Sequence, residues 1–109
     1  MQKPKIVLAE DLIEQLENLK DPEEIEKIHF QISSIYFSVF AYCLEEKKEF
    51  KKLSWEERPT WLMVNYKLFA TKDALKKWAK DITKYKKDTR KKEALKMSIQ
   101  GAKEYLGEN

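Results

Sequence analysis

Residues 22–52 read PEEIEKIHFQISSIYFSVFAYCLEEKKEFKK, a stretch with no glycine and one proline, placed first. Within it Ile25, Ile28, Ile32, Ile35, Val39 and Tyr42 step by three and four, the spacing of a heptad seam along one helix face. Asp21 just upstream is a good capping acceptor, and Pro22 occupies the first helical position, where a missing N–H costs nothing. The spacing predicts one helix over 22–52, about 45 Å long at 1.5 Å per residue. A second stripe, Phe30, Phe37, Phe40 and Leu44, faces away from this seam. The middle of the helix is therefore apolar over most of its circumference and has to be covered from more than one side. Beyond Leu44 the sequence turns to EEKKEFKK, and the helix is expected to run out into solvent.

Upstream, residues 1–8 with Pro4 read as an extended lead-in. A short amphipathic helix then fits 9–20, where Leu12, Ile13, Leu16 and Leu19 recur at helical spacing and Glu10 and Asp11 sit in the first turn, favoured by the helix dipole. Downstream, Ser54-Trp55-Glu56-Glu57 has the form of a capping box. Pro59 has no place inside a helix begun at Trp55, because it lacks the N–H and its ring clashes one turn back. One turn over 54–58 followed by a long helix over 59–86 is the expectation. Trp61, Val64, Leu68, Thr71, Leu75, Trp78, Ile82 and Tyr85 supply its seam. Residues 86–93, KKDTRKKE, hold nothing apolar; Leu95, Ile99, Ala102 and Leu106 then resume on another phase until Gly107 supplies a stop. A break at Asp88 or Thr89 would make 89–106 a separate helix; without one, the long helix continues in a curve. The expected architecture is thus all-α, a single domain over 1–109 with three or four helices. Its centre is an antiparallel, coiled-coil-like hairpin of the two long helices, flanked by a short N-terminal helix and a C-terminal helix.

Composition agrees and narrows the function. With 2 glycines in 109 residues, the raw material for tight hairpins and glycine-rich phosphate loops is missing, while 13 aromatics are too many for a disordered chain. No run of 18 apolar residues is present, and the N-terminus lacks the apolar core of a signal peptide, so the expectation is a cytoplasmic protein with no membrane contact. Catalytic chemistry is nearly absent. His29 lies beside Ile28, Phe30 and Ile32 and reads as a partly buried structural histidine; Cys43, in mid-helix among apolar residues, reads as a small core residue. No phosphate-loop, dinucleotide-binding or Cys-x-x-Cys pattern occurs, so no catalytic residue, metal, cofactor or small-molecule substrate is expected.

Charge is distributed unequally. Residues 1–58 hold 9 basic and 13 acidic side chains, and residues 59–109 hold 13 basic and 6 acidic, so a net +3 is the remainder of −4 and +7. Most of the excess lies in 76–96, with Lys76, Lys77, Lys80, Lys84, Lys86, Lys87, Arg90, Lys91, Lys92 and Lys96 facing only Asp81, Asp88 and Glu93. Such a block can neutralise phosphates without reading sequence, and Trp78 and Tyr85 lie inside it as candidate stacking rings. The same lysines also read as the solvated face of a helix, the same aromatics as seam residues, and the acidic and basic halves as mutually attracting.

Tyr42, Leu44-Glu45-Glu46-Lys47-Lys48, Leu53-Ser54-Trp55-Glu56-Glu57-Arg58 and the long charged helix after them resemble small helical proteins of phages and other mobile elements. The resemblance spans 36–106 and departs in Pro59, in aromatic richness and in the extra N-terminal helix. It implies an accessory role in a recombination or replication module, and it carries no catalytic signature. The reading placed first is a non-catalytic helical interaction protein that self-associates, as a dimer, through Phe30, Phe37, Phe40 and Leu44, or binds a protein partner there. The alternative is a nucleic-acid-binding accessory protein that uses Lys76, Lys77, Lys80, Lys84, Lys87, Arg90, Lys91 and Lys92 on the phosphate backbone.

Overall fold

The computed structural model describes residues 8–108; of the lead-in expected over residues 1–8, residues 1–7 lie outside them. Among the described residues the chain is all-helical, with α1 at Glu10–Asn18, α2 at Pro22–Glu46, α3 at Lys48–Lys51, α4 at Arg58–Tyr66, α5 at Lys72–Lys87 and α6 at Thr89–Leu106. Six helices stand where three or four were expected, because both long helices are cut.

The first cut falls at Lys47, whose backbone is extended (φ −99°, ψ 106°). Continued straight, α2 would have carried Phe50 out among lysines. Instead the chain turns through α3 and Phe50 becomes fully buried, edge-on to Phe40 at 5.9 Å and to Trp61 at 5.2 Å between ring centroids. Burying a phenyl ring contributes about 1.5–3 kcal/mol, more than one interrupted helical turn costs. The second cut falls after Tyr66. Lys67 adopts the left-handed conformation (φ 53°, ψ 42°), the Leu68 N–H returns to the Leu62 carbonyl, and Leu68 is fully buried. Thr71, read from the sequence as a seam position, is in fact the N-cap of α5, its hydroxyl accepting from the Ala74 N–H at 3.1 Å.

α1 stops at Asn18, short of the expected 9–20, because Leu19 is extended, whereas the capping signals elsewhere act as read. Asp21 accepts from the Glu23 N–H at 3.0 Å. Ser54 and Glu57 form the reciprocal capping box, at 3.1 and 3.3 Å, one turn ahead of α4. Asp88 breaks the chain and caps α6 by accepting from the Arg90 and Lys91 N–H groups, and Gly107 ends it at φ 69°.

These cuts change the packing. The principal partner of α2 is α6, with α1 and α5 also on it, so α2 is a central helix and not one arm of a hairpin. α6 runs in the same direction as α2: Phe37 and Leu95 line one hollow, and further along Tyr42 and Lys47 meet Glu108. The radius of gyration, 14.3 Å, is close to the ~13 Å of a compact domain this size, which a thin hairpin would exceed. Arg58 is buried at the α3–α4 corner, its guanidinium 4.3 Å from the Trp55 ring centroid and 5.3 Å from that of Phe50.

Candidate nucleic-acid interface

α5 separates its residues cleanly. Leu75, Trp78, Ile82 and Tyr85 turn inward, while Lys76, Lys77, Lys80, Lys84 and Lys87 are all exposed. Lys76, Lys80, Lys84 and Lys87 follow one another at steps of four, four and three, forming a single row about 16 Å long at 1.5 Å per residue. Arg90, Lys91 and Lys92 extend the basic surface past the Asp88 break, all exposed.

Among the described residues, none of these eight side chains is ion-paired. The pairs that do form use other cations: Lys72 with Glu56, Lys86 with Glu45 and Lys103 with Glu46, each at 2.8 Å, join the acidic first half to the basic second half. Internal attraction therefore occurs, and it reaches the row only at Lys76, whose charge is felt by Glu56 without an ion pair.

The second set of expected site residues separates. Phe40 is fully buried, Phe37 and Leu44 are half-buried, and Phe30 alone is open, at 74% exposure. The stripe that called for a partner is covered mostly from within: Phe37 meets Trp78 at 6.1 Å and Tyr85 at 6.2 Å, and Phe40 meets Trp78 at 5.9 Å. Trp78 and Tyr85 are thus seam residues first, each with part of its surface left open. What remains open is a grooved face where α2, α5 and α6 meet. Two adjoining hollows of about 280 and 330 Å³ share Phe37, Tyr85 and Ser98, and a third of about 270 Å³ continues between α2 and α6. Lys91 lines the first, its Nζ 5.6 Å from the Tyr85 ring centroid. The structure thus joins part of the aromatic stripe to one end of the basic segment, a juxtaposition the one-dimensional pattern does not contain.

Sequence reading missed the hydroxyls. Four of the five serines, Ser33, Ser34, Ser38 and Ser98, line these hollows. The available signal was Ser34 and Ser38, one helical turn apart in an otherwise apolar run. Also missed was the seat of Glu108, whose carboxylate accepts from Lys47 Nζ at 2.7 Å, Tyr66 Oη at 3.0 Å and Tyr42 Oη at 3.4 Å. Burial pushes that carboxyl up, but the Lys47 ammonium and the Tyr66 hydroxyl outweigh it and hold the group below its ordinary range.

His29 is exposed, not partly buried as expected. Cys43 is fully buried, and burial pushes its thiol up to about 12, which suits a packing residue and not a nucleophile. No helix is long and apolar enough to cross a membrane, and no group of three or more His, Cys, Asp or Glu is placed to hold a metal ion, among the described residues. No family model matches this chain, and no curated protein or solved structure is significantly similar to it.

Proposed function

We propose that this chain is a non-catalytic nucleic-acid-binding accessory protein that sets the α5 row and the start of α6 against a phosphate backbone. One observation carries the reading: eight exposed basic side chains along α5 and the start of α6 make no ion pair among the described residues, although the same chain pairs Lys72, Lys86 and Lys103. A row of about 16 Å runs alongside roughly five phosphates of one strand at 3.4 Å each, so contact releases several counterions at once. A cytoplasmic, phage or mobile-element setting fits such a role and belongs to the same proposal.

The test is binding of a fluorescent 20-nucleotide DNA at ~50 mM salt. Lys80→Glu with Lys84→Glu lowers affinity at least tenfold on any sequence, whereas the same charge change at Lys20 and Lys52, off the row, leaves most of the affinity intact. Absence of binding to single strands and duplexes alike refutes the reading.

Self-association is the second reading, supported by Phe30, whose ring stands open on α2 beside Glu23, Glu26 and Lys27. Burial of Phe40 within the chain removes much of the original reason for a dimer. Light scattering decides: a dimer that Phe30→Glu dissolves favours this reading, and a monomer at ~100 μM rejects it.

A further inference from the structure

We propose that the hollow between α2, α5 and α6 is a base-binding pocket, so that the protein prefers single-stranded nucleic acid to duplex. This inference rests on the phosphate-binding reading above and names its substrate class.

The rings come first. Phe37 lies edge-on to both Trp78 and Tyr85, and the three rings line a hollow of about 330 Å³, at the lower end of small-ligand sites. Aromatic faces and edges accept any base, because every base has a π-face. Polar groups come second. The hydroxyls of Ser33, Ser38 and Ser98 have no hydrogen-bond partner among the described residues, unlike Ser34, which donates to the Phe30 carbonyl at 3.0 Å. Asp81 lines the same hollow and is a carboxylate acceptor for an exocyclic amino group. A purely apolar occupant, such as a leucine-rich helix, would leave these acceptors and donors unmatched; a base edge satisfies them.

Charge complementarity selects the occupant. At about 100° per residue, Lys77 and Lys84 lie on α5 between the outermost lysines and Asp81, so the basic face runs without interruption into the rim of the hollow. Lys91 lines the adjoining hollow, its ammonium over Tyr85, a ring that the two hollows share. A strand whose phosphates follow the lysines therefore brings its bases to the pocket, provided they are unpaired. A duplex keeps its bases stacked and uses the lysines alone.

The experiment compares a 20-nucleotide single strand with the matching duplex, for the wild type, for Ser98→Leu, which fills the hollow without removing charge, and for Tyr85→Leu, which keeps apolar cover over Phe37 but removes the ring. The expected result is about a tenfold preference for the single strand, abolished by either substitution with duplex affinity unchanged. A 5-iodouracil strand irradiated on the wild type gives a test independent of variant folding, with crosslinks expected on Tyr85, Trp78 or Phe37. Equal affinity for both strands, unaffected by the substitutions and without those crosslinks, overturns the pocket and leaves phosphate binding standing. No binding of either nucleic acid overturns both. A dimer that Ser98→Leu converts to monomer assigns the hollow to a second copy and also overturns the pocket.

Discussion

Glu108 and Cys43 show how single positions tie this small chain together. Glu108 follows the last helix, yet its carboxylate gathers donors from α2, from the Lys47 break and from the end of α4. Its folded-state acidity is strengthened, so the stability it contributes is present above its ordinary value of 4.5 and is lost as the pH falls through the lower folded value. Glu108→Gln is expected to cost on the order of 1–2 kcal/mol at neutral pH, read as a lower thermal midpoint, with the gap to wild type closing in strong acid. A gap independent of pH contradicts the assignment. Cys43 lies behind the same cluster, its thiol pushed up to about 12 by burial. A disulfide reagent at mild alkaline pH should find no reactive thiol in the folded protein and one after denaturation. His29, the only histidine of the chain, is exposed.

The six helices follow from local signals of unequal clarity. Boundaries written as side-chain chemistry were legible: Asp21-Pro22, the Ser54–Glu57 capping box, Asp88 and Gly107 all act where their chemistry places them. The breaks at Lys47 and Lys67 were not. No glycine, proline or capping residue marks either, and each exists because a distant contact repays it, through Phe50 under Phe40 at one and Leu68 in the core at the other. Thr71 carried the one usable hint, since Thr-Lys-Asp is a good helix start, but it also fits the seam at three- and four-residue steps. Thr71→Ala and Asp88→Ala should each cost about 1 kcal/mol, measured by denaturant midpoints, as caps do. Lys67→Gly should raise stability by roughly 0.5–1 kcal/mol, because a side chain at φ 53° is strained and Lys67 is exposed. Destabilisation by that change would mean that the turn after α4 is held some other way.

Across the whole molecule, sequence predicted the all-helical class and the unequal charge, while the assembly of the site depended on folding. The a/d seam of α2 and the basic character of 76–96 are one-dimensional facts. That α5 covers the aromatic stripe, while α6 runs beside α2 and sets Lys91 beside Phe37 and Tyr85, depends on the break at Asp88 and on long-range packing. Intrachain cover of Phe40 shifts weight from self-association to the surface that remains unsatisfied, the unpaired lysine row. Acidic residues from Glu10 to Glu26 take no part in the ion pairs among the described residues, so the charge asymmetry persists in the folded chain. The direct test is the dependence of single-strand affinity on salt. Neutralising four or five phosphates predicts that log K falls with log salt at a slope of about −3, and that Lys80→Glu with Lys84→Glu flattens the slope by at least 1. A slope near zero, or one unchanged by those substitutions, contradicts a phosphate-binding row on α5.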